Sequence, residues 1–449
     1  MNDTKRAFLL ETLPRLGGLA LLAALLTAAA RGTGIAASAE GLFIAGAVSL
    51  FMASLVFFRL AAFPAAAGCA LLLLVLDPSP LLLAGPGILL FLAGTMVVTA
   101  ALKDLGVMTC LVQFVINRCG VNGVALCLLL AGVSAVSAAL FGGWFSVFVM
   151  CALVFQVCDA LKLKPAPFVT IAAVATNLGA CMTLSGSPLS LFLGVAANES
   201  YAAFLLRAAP PALALTAAAT FTLIGVFHRD IRLLGRRLRE QRERNRGLGP
   251  CMHLSCRRGV SLFLAFFALL LFHAPLAALL ARCTGTEVNP AVLLMLLPAL
   301  FAVGILFARP KRMDAYLREG VDWKLILLVA SLSVIWATLR AKGIRLVSLS
   351  PNNGAASFFA GLLAAPFMGD LASGTLLSGF LPAAAAPCYP LLFGCAVGAN
   401  LFATASQVNL AAVRLLEEHT HRKTAWQSWV KAGTAVTVVC TLVYLLLFA

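Results

Sequence analysis

Between Ala175 and Pro188 a long apolar run is interrupted by Asn177, Gly179, Thr183, Ser185, Gly186, Ser187 and Pro188, seven small polar or helix-breaking residues in the twelve positions from Asn177. Glycine and proline disfavour a continuous helix, and a helix that stops inside an apolar run strands carbonyl and amide groups. Those carbonyls, with the Asn, Thr and Ser side chains, could replace water around a small cation. The amides and positive dipole end of the next half-helix could hold an anion. A simple kink whose hydroxyls satisfy neighbouring backbone is the competing reading. A second stretch lies 223 residues on, where Asn400, Thr404, Ser406 and Asn409 follow Gly398. It has no glycine or proline after Asn400, so polar packing between unbroken helices competes with unwinding there. Two smaller sets precede these stretches: Gly142, Gly143 and Ser146, and Gly369, Asp370, Ser373, Gly374 and Thr375. Asp370 is the acidic residue placed deepest. A carboxylate inside an apolar element is a proton or cation site by default, with a hydrated helix cap as the alternative.

The chain that presents these residues has 449 amino acids, 62% hydrophobic and 11% charged, too little polar surface for a water-soluble globule of that size. A hydrocarbon core of about 30 Å needs about 20 apolar helical residues per crossing, and such stretches recur from residue 16 onward. Alternating strand-length patterns are missing, so helices satisfy the backbone. Spans are expected at 16–31, 41–58, 60–76, 81–102, 166–196, 202–227, 259–281, 288–308, 323–341, 388–415 and 430–448. The apolar regions 121–161 and 353–386 are broken midway by Phe141-Gly142-Gly143-Trp144 and Gly369-Asp370-Leu371-Ala372, and each reads as a helical hairpin that dips in and returns to the same side. The expected fold is an all-α integral membrane protein with about 11 transmembrane helices and two re-entrant hairpins.

The formal charge of +16, from 33 Lys and Arg against 17 Asp and Glu, sits almost wholly in the connections between spans. That is a topology signal rather than a nucleic-acid footprint, and no nucleic-acid partner is expected. With a cytoplasmic N-terminus and both hairpins re-entrant, only Arg31, Arg207, Arg282, Arg340, Lys342 and Arg345 fall outside, leaving 27 of the 33 basic residues inside. A hairpin that crossed once would invert everything after it. The first span follows Lys5, Arg6 and Arg15 and ends in an Ala-rich run, as a cleaved signal peptide also would; because further spans follow at once, an uncleaved membrane helix is the expected reading. Multi-pass insertion in the plasma (inner) membrane, surrounded by lipid, is the expected location. The linker from His228 to Arg258 carries ten arginines and is either a solvated orienting hinge or a contact for anionic lipid or a regulator. Arg207, at the outer start of its span, is explained by snorkelling. The 13 cysteines lie mostly as single small hydrophobes, and Cys251, His253 and Cys256 lack the two-by-two spacing of a zinc site, so no metal is expected.

The chain also repeats itself. Leu89-Leu90-Phe91-Leu92-Ala93-Gly94 leads to Ala100-Ala101-Leu102-Lys103-Asp104-Leu105-Gly106, and 237 residues later Ile326-Leu327-Leu328-Val329-Ala330-Ser331 leads to Ala337-Thr338-Leu339-Arg340-Ala341-Lys342-Gly343. Each is followed by a hairpin and then a broken span, and the traced topology runs the two copies in opposite directions. The expected division is N-terminal helices over 1–80, a first inverted repeat over 81–227 (hairpin 121–161, broken helix 166–196), the Arg-rich cytoplasmic linker 228–258, and a second repeat over 259–449 (hairpin 353–386, broken helix 388–415) with a C-terminal helix. Inverted repeats with discontinuous helices are the architecture of alternating-access carriers, whose sites form where the unwound segments meet.

At these residues the chain resembles the ion transporter superfamily, which includes arsenite-efflux permeases, one class of sodium/proton antiporters, and divalent-anion/sodium and citrate symporters. Against the family-like pattern N-[IL]-G-G-x-x-T-L-x-G-x-P-x-N, Asn177 to Ser190 matches seven of nine specified positions, departing at Ala180 and Ser190. Val321-Asp322-Trp323 is similar to the opening these permeases place before a repeat helix. The resemblance covers roughly residues 60–448. It implies a scaffold with a transport domain, often a homodimer, and ion-coupled movement of a small solute. The chain departs from the Asp-Asn and Ser-Asn-Thr hairpin tips of known members, having Gly142-Gly143-Trp144 in the first half and Asp370-Leu371 in the second.

The expected activity is ion-coupled secondary transport of a small anion, either citrate-like or dicarboxylate-like or an inorganic oxyanion. Asn177, Thr183, Ser185 and Ser187 would meet Asn400, Thr404, Ser406 and Asn409 across the halves. Na+ or H+ is the expected coupling ion, with no other cofactor. A sodium/proton or arsenite-type antiporter is the alternative in the same class, and a transport-inactive membrane scaffold the alternative in another. No nucleotide-binding, zinc-protease or triad motif is present in the sequence, so no enzymatic activity is expected.

Overall fold

The computed structural model describes residues 62–77, 86–106, 122–197, 199–244, 254–342, 354–379, 389–421 and 426–448, with parts of 43–51. The expected span 16–31, most of 41–58, and the cluster positions Cys251 and His253 lie outside these residues. Among the described residues there is no strand, and the long helices are α1 (Ala62–Leu76), α2 (Pro86–Asp104), α3 (Gly123–Phe141), α4 (Gly143–Leu161), α5 (Ala166–Gly179), α6 (Pro188–Ala196), α7 (Tyr201–Val226), α8 (His228–Arg244), α9 (Leu254–Leu271), α10 (His273–Thr284), α11 (Pro290–Ala308), α12 (Met313–Arg318), α13 (Trp323–Ala341), α14 (Gly354–Met368), α15 (Asp370–Gly379), α16 (Tyr389–Gly398), α17 (Gln407–Thr420) and α18 (Trp426–Phe448). Six of them, α2, α3, α4, α7, α11 and most of α18, are long and apolar enough to cross a bilayer alone, and two bent pairs raise the number to eight. Val75, Phe307 and Leu446 are 81–82% exposed, which places apolar side chains on the outside as lipid requires. The chain is a multi-pass, all-α membrane protein.

The expected span 259–281 is not one straight helix. It bends by 71° between α9 and α10. Pro275 lies four residues after Leu271, so it cannot donate to the Leu271 carbonyl and its ring crowds that group, and α9 stops there. The Val-Asp-Trp opening has a local role: Leu325 N donates to Asp322 Oδ1 (3.1 Å), capping α13, as an aspartate before a helix does.

Helix directions follow from which ends meet. A Cβ on Gly87 would touch Met295, one on Gly94 would collide with the Pro298–Ala299 backbone, and Asp104 reaches Arg312 at 3.8 Å; α2 and α11 are therefore parallel. Between them the described residues make three crossings, through α5–α6, α7 and α9–α10, which is the odd number that two parallel spans need. The hairpin α3–α4 contributes no net crossing. Its turn is Gly142 alone, at φ +87°, in the left-handed half of backbone space that glycine enters without penalty. The amide of Gly143 donates to Gly186 O at 2.8 Å, so the tip lies at the break between α5 and α6. The 14 residues of α5 span about 21 Å, so the tip is buried partway through the crossing. The second hairpin, α14–α15, turns at Gly369 with φ +85°.

The two broken helices run antiparallel. Tyr389, which opens α16, donates to Glu199 beyond the end of α6 (3.2 Å). His419, near the end of α17, lies 3.2 Å from Asp159 at the end of α4, close to where α5 begins. The helices of the second half approach so closely that a Cβ on Gly394 would overlap the Phe358 carbonyl. Gly394→Ala is therefore expected to cost about 1–3 kcal/mol and lower the unfolding temperature in detergent. Gly132→Ala, which meets nothing within 4 Å, should leave that temperature unchanged or raise it, and equal losses in both variants would refute the packing argument.

Candidate functional site

Each broken helix is stopped by its own chemistry. In the first, α5 ends at Gly179, a short 3-10 turn covers Ala180–Met182, and Thr183 is extended (φ −133°, ψ 160°). The chain re-enters helix at Pro188, with Ser187 accepting from Ser190 N at 3.0 Å, the usual partnership of a serine cap and a proline at the first helical position. Glycine is required at Gly186, where a Cβ would overlap Ala180 O, and at Gly179, where it would overlap the backbone of Ala135 in α3.

The second break has no proline, yet α16 ends at Gly398 and α17 begins only after Ser406, with Phe402 and Ser406 both extended. A side chain holds it open. Asn400 Nδ2 donates to Ala396 O at 3.0 Å, taking the carbonyl that a continuing helix would bond through its own amide. The final helix closes over this break: Trp429 Nε1 donates to Asn400 O at 3.3 Å, and Gly433 leaves room where a Cβ would overlap the same carbonyl.

Where the breaks cross, four polar side chains form one buried cluster. Asn177 Nδ2 donates to Asn400 Oδ1 and to Ala396 O, both at 3.1 Å. Ser406 Oγ donates to Asn177 Oδ1 at 2.9 Å. Asn409 Nδ2 donates to Asn400 Oδ1 at 3.1 Å and to Ala399 O at 3.3 Å. All four residues are 5% exposed or less. Three further buried oxygens in this region of the chain, Thr176 Oγ1, Thr375 Oγ1 and Asn409 Oδ1, have no protein partner, although an unmatched buried polar atom costs about 1–3 kcal/mol.

The hairpin tips meet the breaks in matching ways. Gly142 faces the Ser185 carbonyl and Gly369 faces the Ala405 carbonyl, 3.6 Å and 3.5 Å from where a Cβ would stand. Asp370 lies beside Ser406, and its Oδ1 accepts from Leu371 N at 2.7 Å. Ser373 Oγ bonds Gly369 O at 2.6 Å and lies 3.5 Å from Cys395 Sγ on α16. Within the first hairpin, Ser137 Oγ donates to Ser146 Oγ at 2.8 Å.

The expected ligand set is brought together only in part. Asn177, Asn400, Ser406 and Asn409 converge, but Thr183 and Ser185 turn toward the first hairpin and α7. Thr183 Oγ1 donates to Ala139 O, and Ser185 Oγ shares a 2.7 Å bond with Tyr201 Oη. Ser187 is occupied with Ser190 through a 2.7 Å hydroxyl pair, and Thr404 is exposed. Sequence reasoning missed Tyr201, Glu199 and Tyr389. Arg207 does more than snorkel: its Nη1 donates to Glu199 Oε1 at 2.6 Å. The adjacent acid eight residues earlier was the available signal.

A membrane protein in which two antiparallel broken helices and two hairpins converge on a buried polar cluster has the architecture of a transporter. The chain belongs to the citrate transporter family, whose family model matches residues 7–405, and with it to the ion transporter superfamily. An uncharacterized transporter of Mycobacterium tuberculosis is 26% identical over 126 residues, 28% of this chain and 29% of that protein. A 46 kDa membrane protein of Mycobacterium leprae is 26% identical over 129 residues, 29% of this chain and 30% of its own. An uncharacterized transporter of Mycobacterium bovis is 25% identical over 123 residues, 27% and 29% of the two lengths. The matched stretches thus span less than a third of each of these relatives.

Asn177 and Asn400 share partners, so their loss should not add. Each single alanine variant removes the bond between the two side chains, a loss the double variant counts only once, so the double variant should be less destabilised than the sum of the two by about 0.5–3 kcal/mol. Unfolding titrations of the four proteins in detergent measure this. Strict additivity would mean the two side chains do not act together.

Proposed function

We propose that the chain is an ion-coupled secondary carrier for a small multivalent carboxylate of the citrate type, working by alternating access, with its solute site at the crossing of the two broken helices. The observation that carries this reading is the direct Asn177–Asn400 bond between the halves. It is supported by the way four helices begin at the same place: α4 at Gly143, α6 at Pro188, α15 at Asp370 and α17 at Gln407. Helix N-termini present partial positive charge, which suits an anion stripped of water without burying a fixed cation against it. The C-termini of α3, α5, α14 and α16 end there too and present carbonyls. With the unpartnered Thr176, Thr375 and Asn409 oxygens, they suit a desolvated cation that travels with the anion.

Within this reading the N-terminus is cytoplasmic, the protein lies in the inner membrane, and the inverted halves alternate in exposing the site. The proton-coupled variant of the mechanism is favoured by Asp370, the carboxylate at the second hairpin tip beside Ser406.

In proteoliposomes, labelled citrate should accumulate when a Na+ or H+ gradient is imposed, while arsenite and imposed sodium/proton exchange give little flux. Asn177→Ala and Asn400→Ala should each cut the flux about tenfold or more, the effect of losing a hydrogen bond to a charged solute. Asp370→Asn can still accept from Leu371 N, so it should fold and lose its cation dependence. No gradient-dependent flux of any carboxylate would sink the proposal, and unchanged ion dependence in Asp370→Asn would remove that residue from coupling.

A further inference from the structure

The arginine-rich segment after α7 is one amphipathic helix with two distinct faces. On one side of α8, Ile231 and Leu234 are buried at 3% and 1% exposure. This face is pressed onto the base of the first hairpin, where a Cβ on Gly123 would stand 2.5 Å from Ile231 O and 3.0 Å from Gly235 N. Leu234 also lines an apolar cavity between α3 and α4 with Leu126, Leu130, Val154 and Phe168. The other side carries Arg229, Arg232, Arg236 and Arg239, all exposed. Their spacing of three, four and three residues puts them in one stripe along the helix. Arg237, off the stripe, is paired with Glu240 at 3.1 Å. Among the described residues none of the four stripe arginines has an acidic partner.

The position of α8 limits what the stripe can meet. Only Phe227 separates it from Val226, the last residue of the span α7, so the stripe starts at the bilayer surface. Its 17 residues extend about 26 Å. Leu233, 43% exposed, adds an apolar side chain beside the charges, the combination that lets a basic helix settle at the boundary between headgroups and acyl chains. We propose that this face of α8 is a docking surface for anionic phospholipid headgroups of the leaflet from which α7 emerges. Four unpaired guanidinium groups match phosphate in charge and in bidentate geometry. The opposite face fixes the helix to the base of the hairpin whose tip reaches the polar cluster. This holds whatever solute the protein carries.

The full chain, taken from bilayers of equal phosphatidylglycerol and phosphatidylcholine, tests the proposal by native mass spectrometry of the lipid it retains. The wild type should hold phosphatidylglycerol over phosphatidylcholine by about tenfold, and raising the salt from about 50 to about 500 mM should shrink that preference. The Arg229→Gln, Arg232→Gln, Arg236→Gln, Arg239→Gln combination should lose most of it. The corresponding lysine combination, which keeps the charge and the topology signal, should retain the greater part. Added inorganic phosphate should not displace the lipid. A salt-insensitive wild-type preference, undiminished phosphatidylglycerol in a monodisperse glutamine variant, or displacement by inorganic phosphate would each overturn the assignment.

Discussion

A chain inside a bilayer can stop a helix only where the protein itself supplies partners for the backbone it releases, and that constraint organises the centre of this molecule. The Ala396 carbonyl, freed at the end of α16, receives two side-chain amides, from Asn400 and from Asn177. Gly186 O receives the amide of the hairpin residue Gly143, and Asn400 O receives the indole of Trp429. The polar cluster is thus structural before it is anything else. In the proposed reading, the same groups that satisfy the unwound backbone are the ones a solute engages.

The two halves solve this problem with the same parts and different side chains. Each hairpin turns on a single glycine with positive φ, Gly142 or Gly369, and each tip faces a carbonyl of the adjacent break. Each break is also closed by an aromatic residue from the helix that follows it, Tyr201 through Ser185 in the first half and Trp429 through the Asn400 carbonyl in the second. The halves differ at the tips, where the first carries no ionisable group and the second carries Asp370. A pseudo-symmetric frame therefore encloses an asymmetric charge distribution.

Much of this was legible in the sequence because glycine and polar residues have few reasons to interrupt apolar helices. The hairpin turns and the pair Asn177 and Asn400 were readable on those grounds, and the positions of the broken helices followed from them. The second break was harder to read because no proline marks it. The determinant is the reach of the Asn400 side chain back to Ala396, a tertiary detail that composition does not encode. Thr183 and Ser185 misled for a related reason: in an extended segment a hydroxyl can turn to either side, and the nearer acceptor belonged to the first hairpin, at Ala139. The bend at Phe272 was encoded by Pro275, which the apolar run around it disguised. The tie between Glu199 and Tyr389 joins residues 190 positions apart, beyond anything local pattern can indicate.

That tie, read with its counterpart at the other membrane face, has a mechanical meaning. Tyr389 is bound to Glu199 at one end, and His419 meets Asp159 at the other while stacking on Phe155 with ring centroids 4.2 Å apart. With the asparagines joined between them, the second broken helix is tied at three levels to the first half: beyond the end of α6, at the break, and at the end of the hairpin helix α4. Stitched at three levels along its length, the seam between the two halves resists shear more than any one of its bonds would alone.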